Sequence, residues 1–551
     1  MKKLLFTILL SSLLVSSCND FLDMTPTDRV SDKVMWATTE SAQYAVNSIY
    51  SYTYEIFASW PSAVGMTEAF TDEMKYGSYV NFAMCLIPSQ VAYGGSILSN
   101  NFVDVYLGCW GTLYSAIRRT NEALYNLHTL GTGLPAAVQK RLDGELRLMR
   151  GWLYFELIKR YKDVILYDED LSAIKANIAL STEEQGWDFV WEDLDAAVSA
   201  LPEKANAGGR LDKDCAWALE TRAMLYAKRY DKVIAAADSL ASRYTLMPKY
   251  ADAFKTSIPA NSEAILQYTF SYKYGVTHSF DYYYTPGGDY KIVGQQGGGY
   301  GTPTQEMVES YEKADGSGFP DWSAWHNVTV AEPPYAQLEP RFHATVLYNG
   351  APWKERTIEP YVGGTDGWCQ WNKEPQPQGR TTTGYYLKKY VDESHDLEQV
   401  SASTQHFVVL RYGEVLLNKA EACYRSNDEA GANAAVKAIR SRVGLPWTDA
   451  TGAALWKAIR QERRVELAFE GLWYWDLRRW EEAAEDYPLG LNGYQVHGLK
   501  IETTGVEGQF KYTYVSVDDK DRNFPAKMYR FPIPESELNS NSLIQQYPEW
   551  N

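Results

Sequence analysis

The chain has 551 residues and a formal net charge of −17, with an isoelectric point near 5.0. This acidic balance argues against a nucleic-acid-binding protein, which needs a basic surface for the phosphate backbone. The length suits two or more domains, and the 14% of aromatic residues includes 41 tyrosines and 18 tryptophans. Because each such ring has a flat apolar face and most carry a polar group, this excess indicates either a binding surface or a large aromatic core.

The N-terminus carries the pattern of an exported bacterial lipoprotein. Lys2 and Lys3 precede a mostly apolar run over residues 4–15, and Val-Ser-Ser-Cys then ends at Cys18. The run is too short to cross a membrane, so residues 1–17 are predicted to be a signal peptide. We predict that Cys18 is lipidated and that residues 18–40 form the lipidated N-terminus and a tether. Several acyl chains anchor far more stably than one. The alternative is an ordinary cleaved signal with an incidental cysteine.

Residues 41–270 are predicted to be mainly helical. Apolar residues recur three and four positions apart over 113–127, 143–161 and 187–201, which is the spacing of one face of an amphipathic helix. A hairpin of two short helices then occurs twice. The sequence places it at 216–241, with a polar turn at 228–231, and at 413–442, with a polar turn at 425–428. Both copies resemble tetratricopeptide-type hairpins, which must stack on neighbours to bury their apolar faces.

Residues 271–386 have a different composition. They are rich in glycine, proline and aromatic residues, and they show no helical periodicity. The stretch SFDYYYTPGGDYKIVGQQGGGYGTP, from Ser279 to Pro303, places five tyrosines among seven glycines. Irregular segments of this length in a globular protein are usually functional or disordered, and the aromatic richness argues against disorder. We therefore predict an irregular ligand-binding region whose loop holds aromatic rings open to ligand. For any single tyrosine, packing within the loop is the alternative.

The sequence offers no pattern of a catalytic centre or a metal site. The seven histidines never occur at metal-ligand spacing, and no HExxH, GxSxG or Walker sequence is present. The five cysteines other than Cys18 are scattered, which favours free thiols over a disulfide framework or a zinc site. Residues 518–523 resemble a calcium loop but lack its glycine and its final glutamate, so a solvated turn is favoured. We predict no cofactor and no bound metal.

Several segments, taken together, resemble one known family. RQERRVELAFEGLWYWDLRRW, from Arg460 to Trp480, is similar to the C-terminal hallmark of the SusD/RagB family of Bacteroidota outer-membrane lipoproteins. The other similar segments follow the family's order along the mature chain: CNDFLD at Cys18, ELRLMRGWLYFELI at Glu145, EPRFHATVLYNG at Glu339, FVVLRYGEVLLNKAEA at Phe407 and YRFPIPESELNSNSLIQQ at Tyr529.

The resemblance implies a mainly α, SusD-like fold. Four tetratricopeptide-like hairpins, in helical parts at 41–270 and 387–551, would support the irregular ligand-binding region at 271–386. It also implies a lipid-anchored protein exposed on the cell surface at the outer membrane. Such a protein is not an enzyme, and it binds glycans and delivers them to a SusC-like TonB-dependent transporter. Some members bind peptides, so a peptide or another nutrient is the alternative ligand, and a glycan hydrolase is a third hypothesis.

The hallmark segment itself is interpreted as scaffold. Its charged residues are expected to form ion pairs with partners three and four positions away on one helix. Val465, Ala468, Phe469 and Leu472 are expected to form the apolar stripe of the same helix.

The resemblance further implies two regions that contact ligand. One is the acidic segment containing Asp72 and the aromatic residues after it, here Tyr76 and Tyr79. The other is the Gly-rich stretch, with the candidate rings Tyr282, Tyr283, Tyr284 and Tyr300.

Within the second region, Tyr300 lies between two glycines and is predicted to be an exposed platform ring. Tyr283 and Tyr284 are adjacent, so in an extended loop one should face inward and the other should face the ligand. Trp322 is a further candidate, with a small hydrophobic cluster shared with Trp325 as the alternative.

Overall fold

The computed structural model describes residues 31–57, 67–77, 107–170, 177–204, 209–292, 294, 297–370, 379–396 and 402–551. The signal peptide, Cys18 and Tyr79 lie outside these ranges. The described chain is mainly α-helical with a few short strands. No helix in these ranges combines the length and apolar character needed to cross a membrane.

The N-terminal part consists of helices, and side-chain caps at Thr182 and Asp212 mark the start of two of them. The predicted helix near Trp187 begins at Glu183, because Thr182 and Gln185 form a reciprocal capping box. The helices are α1 (Asp32–Met35), α2 (Thr39–Phe57), α3 (Trp110–Thr129), α4 (Ala136–Tyr161), α5 (Glu183–Ala200), α6 (Lys213–Tyr226), α7 (Tyr230–Leu240) and α8 (Asp252–Lys255).

Between and after these helices, short elements form the irregular part. The helices are α9 (Phe280–Tyr284), α10 (Gly287–Ile292), α11 (Gln305–Glu309) and α12 (Pro340–Thr345). Two strands precede the irregular part, β1 (Met74–Tyr76) and β2 (Ala264–Tyr268). The strands within it are β3 (Gly301–Pro303), β4 (Val328–Thr329), β5 (Val346–Leu347), β6 (Pro352–Trp353), β7 (Arg356–Thr357) and β8 (Tyr386–Leu387).

The C-terminal part returns to helices and ends on a hairpin of longer strands. Its elements are β9 (Phe407–Arg411), α13 (Tyr412–Arg425), α14 (Glu429–Arg442), α15 (Gly452–Glu466), α16 (Trp473–Arg479), β10 (His497–Thr503), β11 (Phe510–Ser516) and α17 (Glu535–Ser540).

Four pairs of helices pack side by side: α2 with α3, α4 with α5, α6 with α7, and α13 with α14. Helix α5 also contacts α6, and α7 contacts α13, so successive pairs stack on one another. The two hairpin turns fall between Tyr226 and Tyr230 and between Arg425 and Glu429, which confirms both predicted turns. Small buried residues such as Ala223 and Ala420 lie between the helices, so each pair buries an apolar face that it cannot bury alone.

Antiparallel strand pairs connect the irregular part to the helices. Strand β2 pairs with β9, and because β2 precedes the irregular part and β9 follows it, this pair closes its base. Strand β1 pairs with β3, with Tyr76 opposite Gly301. The other pairs are β5 with β8, β6 with β7, and the sheet β10–β11–β4.

The irregular part has an aromatic core of its own. Buried rings from β1, α9 and the segments around them, including Tyr76, Tyr284, Tyr300, Trp322 and Tyr335, form one apolar cluster. Much of the aromatic excess therefore fills a core, and only some rings remain available to solvent.

The hallmark segment Arg460–Trp480 differs from its prediction in two ways. It is two helices, because α15 ends at Glu466 and the backbone turns through Phe469 (φ 58°) and Gly471 (φ 74°) before α16. Its ion pairs also cross the fold. Although Arg479 and Asp476 are three residues apart, Glu466 pairs with Arg341, Arg411 and Arg442 from three other segments. The expectation of one helix with local pairs is wrong.

Candidate functional site

Four tyrosine rings of the irregular part contact one another in succession. In order they are Tyr290, Tyr282, Tyr283 and Tyr300, with successive ring centroids 5.7, 5.1 and 4.9 Å apart. We call this set the tyrosine row. Its two outer members, Tyr290 and Tyr300, are buried, and its two middle members are half-buried. The middle rings meet at 67°, so they present two differently inclined aromatic surfaces supported from both sides.

The middle rings project from α9, a helix of only five residues. A helix this short leaves its C-terminal carbonyl groups without helical partners, and the Gly-rich segment supplies them. The N–H of Gly298 donates to the Tyr282 carbonyl at 2.7 Å, and the N–H of Gly299 donates to the Thr285 carbonyl at 2.9 Å. The N–H of Tyr300 donates to the Tyr283 carbonyl, also at 2.9 Å.

The close approach of this segment explains one of its glycines. A Cβ atom at Gly297 would lie 2.9–3.0 Å from ring atoms of Tyr290 and Tyr282, closer than real side chains pack. The backbone therefore rests directly on the rings. The glycines allow the backbone of the loop to pack against the tyrosine row. This packing fixes the positions of the rings and buries two of the four.

The expectation for Tyr300 is wrong, because its side chain is only 3% exposed. It packs beneath Tyr283 and belongs to the aromatic core. Tyr284 also faces inward, stacked on Phe280 at 4.5 Å, and is likewise unavailable to ligand. Tyr283 is half-buried and packs against Tyr300 of the same aromatic core. Because the backbone here is a short helix and not an extended loop, the expected inward–outward alternation does not apply.

The acidic segment is closer to this row than its distance in sequence suggests. The pairing of β1 with β3 brings Tyr76 opposite Gly301, and Gly77 N–H donates to the Tyr300 carbonyl at 3.0 Å. Tyr76 itself is fully buried. Asp72 is buried too, and its Oδ2 accepts a hydrogen bond from Arg464 Nη2 at 2.8 Å. The expectation that these two side chains face a ligand is therefore wrong.

Trp322 lies inside a small aromatic cluster and is nearly inaccessible. Its ring centroid is 5.6 Å from that of Trp325 and 6.5 Å from that of Tyr335. This is the hydrophobic cluster that was the alternative for Trp322, so its expected role as an open ring is wrong.

Two buried carboxyl groups, Glu68 and Glu73, lie close to Asp72 in the sequence. Glu68 accepts a hydrogen bond from Gly471 N–H at 2.5 Å, and burial raises the pKa of Glu68 to about 7. Burial, together with the nearby Glu68, also raises the pKa of Glu73 well above its ordinary value. Such shifts often mark functional sites, but both side chains are enclosed, so we interpret them as part of the support for β1.

Sequence reasoning did not single out the polar contacts that hold the row. Asp289 on α10 accepts hydrogen bonds from Trp353 Nε1 at 2.9 Å and from Arg356 Nη2 at 2.5 Å. Asp366 accepts from the same arginine. Asp289 and Arg356 are 67 positions apart, so no local pattern could have connected them.

Within the described ranges, no group of three or more histidine, cysteine, aspartate or glutamate side chains is arranged to hold a metal ion. Cys215 and Cys423 are free thiols, which agrees with the prediction for these two.

Comparisons with known proteins bear on the whole chain. The model of the SusD family matches residues 262–550, and a model described as "Starch-binding associating with outer membrane" matches residues 20–225. A SusD-like protein of Bacteroides ovatus is 22% identical over 603 aligned residues, covering 100% of this chain and 98% of that protein.

Two solved structures share the fold. A SusD-like protein of Bacteroides fragilis NCTC 9343 has 27% identity and a TM-score of 0.77, and the match covers 95% of this chain and 99% of that one. A SusD-like carbohydrate binding protein of the same strain has 22% identity and a TM-score of 0.74, with 93% and 100% covered. Because the family model alone matches more than half of the chain, this protein belongs to the SusD family.

Proposed function

We propose that this protein binds glycans through the half-buried rings of Tyr282 and Tyr283. The observation that carries the proposal is the tyrosine row, in which buried rings on both sides support two rings that reach solvent. Sugars have C–H faces that stack on aromatic rings, and their hydroxyl groups need polar partners nearby. The description of the second family model as starch-binding, and the name of the carbohydrate-binding relative, support this choice of ligand.

The expected affinity is modest. If each ring contributes about 0.5–1.5 kcal/mol, as an aromatic pair does, and a few hydrogen bonds add about 1 kcal/mol each, dissociation constants fall in the micromolar to millimolar range. Weak binding suits a protein that passes its ligand on. The net charge of −17 disfavours polyanionic glycans and leaves neutral ones as the preferred class.

A glycan array followed by isothermal titration tests the proposal. Tyr282→Ala and Tyr283→Ala should each weaken binding of the selected oligosaccharide about tenfold, which corresponds to about 1.4 kcal/mol. Tyr125→Ala is the matched control, because Tyr125 is an exposed tyrosine on α3, and it should bind like the wild type. A double variant at Tyr282 and Tyr283 with wild-type affinity would place the site elsewhere. A peptide library in the same screen tests the alternative nutrient.

We further propose that Cys18 anchors the protein to the outer membrane, exposed at the cell surface. The signal sequence supports this, as does the outer-membrane association in the description of the second family model. Cys18→Ala should release the protein from the membrane fraction or block its maturation, whereas Cys109→Ala should not. A Cys18→Ala variant that stays anchored and accessible to surface labelling contradicts the proposal.

The final step that we propose is delivery of the glycan, without cleavage, to a SusC-like TonB-dependent transporter. Family membership supports this partnership. Affinity purification of the tagged protein from solubilised outer membranes should recover such a transporter, and purified protein should release no product from the bound oligosaccharide. Absence of any transporter from the purified material, or release of product, counts against this part.

A further inference from the structure

Helix α10 is held in place by the buried ring of Tyr290 and by polar contacts of its first residues. Its first two residues are the buried glycines Gly287 and Gly288, which offer no side chain for packing. The next residue, Asp289, is buried and accepts hydrogen bonds from Trp353 Nε1 (2.9 Å) and Thr285 Oγ1 (3.0 Å). The position of this short helix therefore depends on what the Asp289 carboxylate contacts.

Arg356 connects that carboxylate to a second one. Its Nη2 donates to Asp289 Oδ1 at 2.5 Å and to Asp366 Oδ1 at 2.8 Å, and its Nη1 donates to Asp366 Oδ2 at 2.7 Å. Asp366 Oδ1 also accepts the Gly288 N–H at 3.0 Å. The planar guanidinium thus holds α10 at two successive residues, a geometry that the single ammonium group of a lysine cannot reproduce.

Opposite charges in this bridge stabilise the ionised forms of Asp289 and Arg356. Burial alone would raise the pKa of Asp289, but Lys354, Trp353 and Arg356 outweigh burial and lower it. Burial likewise opposes the charge of Arg356, but Asp366 and Asp289 raise its pKa. Asp289 and Arg356 therefore remain ionised at neutral pH. Removal of the guanidinium leaves the buried side chains of Asp289 and Asp366 with less compensation.

Tyr290 connects the Arg356 bridge to the half-buried rings of Tyr282 and Tyr283. Tyr290 follows Asp289 directly, and its ring lies against that of Tyr282. The Gly297 backbone rests on both rings. A shift of α10 would therefore move the surface on which Tyr282 leans.

We infer that Arg356 is a positioning residue for glycan binding: by clamping α10 through Asp289 and Asp366, it fixes the Tyr282–Tyr283 pair in its binding arrangement. The inference rests on the proposed function for its effect on affinity. Its effect on the geometry of the tyrosine row can be measured without any glycan.

The first experiment measures hydrogen exchange in the ligand-free full-length protein. Arg356→Met should accelerate exchange at least tenfold in peptides that contain Gly298, Gly299 and Tyr300, whose N–H groups donate to α9 and the residue after it. Peptides from α13 report global stability, and their exchange should accelerate less than exchange in the Gly-rich segment. Arg356→Lys keeps the charge and should give the same local acceleration, so it decides the question if Arg356→Met does not fold.

Arg530→Met is the matched control. Arg530 also bridges two carboxylates, Glu549 and Asp163, and its side chain is 24% exposed compared with 19% for Arg356. Its loss should leave exchange in the Gly-rich segment unchanged. Unchanged exchange in the Arg356 variants, or equal acceleration with Arg530→Met, overturns the inference.

The second experiment is a double-mutant cycle with the array-selected oligosaccharide. Arg356→Met should weaken binding about fivefold to tenfold in the wild-type background. It should have no further effect when Tyr282 and Tyr283 are both alanine, because a residue that acts only through those rings has nothing left to position. Additive losses overturn the inference. If the wild-type protein binds no glycan, the proposed function fails, and the exchange measurement alone decides whether Arg356 positions the row.

Discussion

Replacing Glu466 by alanine is expected to lower the melting temperature while leaving glycan affinity unchanged. The Glu466 carboxylate is fully buried at the end of α15 and accepts hydrogen bonds from Arg411 Nη1 (2.8 Å), Arg341 Nη1 (3.3 Å) and Arg442. Burial would raise the pKa of Glu466, but the three arginines hold it far below its ordinary value. The stabilisation is therefore complete above the ordinary carboxyl pKa and is lost only as the pH falls below it.

The magnitude follows from which contacts remain. Arg411 keeps Glu263 at 2.7 Å, and Arg341 keeps Glu339 at 2.6 Å, so no arginine loses every partner. Breaking a buried ion pair costs about 3–5 kcal/mol, and the remaining partners favour the lower half of that range. With an unfolding entropy of about 2.1 cal/mol/K per residue, a cooperative unit of 551 residues should melt about 3 °C lower.

The assay is thermal unfolding at pH 7, combined with titration of the array-selected oligosaccharide at a temperature where the variant is folded. Glu122→Ala is the control, because Glu122 is 39% exposed and pairs with an even more exposed Arg118. Such surface pairs contribute about 0–1 kcal/mol, so its melting temperature should hardly change. A folded Glu466→Ala protein with wild-type melting and no glycan binding would refute the scaffold interpretation.

Three further variants test the burial that the structure shows. A carboxyl group with a raised pKa destabilises the fold as the pH rises from its ordinary value through the folded one. The melting temperature of Glu68→Gln should therefore fall less than that of the wild type between pH 5 and pH 8, and equal falls would contradict the raised pKa. Tyr300→Ala should cost about 3–5 kcal/mol of stability, as large-to-small changes of buried rings do, and an unchanged urea midpoint would show that the ring is not core. Asp72→Asn should lower stability by weakening the contact with Arg464 without changing affinity in the folded protein. A larger dissociation constant for glycan, with no loss of stability, would indicate that Asp72 contacts the ligand.

The helical part was predictable because its signals are local. The hairpins α6–α7 and α13–α14 each carry apolar residues at helical spacing around a polar turn, so each pattern lies within a span of about thirty residues. The break at Phe469 and Gly471 was missed, because apolar spacing continues through it at Ala468 and Leu472. Periodicity reports which face is buried and does not report a change of backbone direction.

The site was less predictable, because exposure depends on distant contacts. The glycines around Tyr300 suggested an open ring, but they allow the backbone to approach α9 and bury that ring under Tyr283. Helices α9 and α10 are too short to show a helical period, so the sequence gives no sign that Tyr282 and Tyr283 share a helix. The Arg356 bridge to Asp289 joins residues with no pattern in common.

The ring of charges around Glu466 also limits how far this protein can be divided. Arg411 and Arg442 each contact both Glu263 and Glu466, and Arg341 enters the same cluster from the irregular part. A fragment that holds only the irregular part would expose Arg341 and lose the β2–β9 pair at its base. We therefore expect that the proposed glycan-binding surface cannot be separated from the helices beneath it. The cluster can close only when α15, which carries Glu466, is present. A chain that ends before that helix should therefore fail to reach a stable fold.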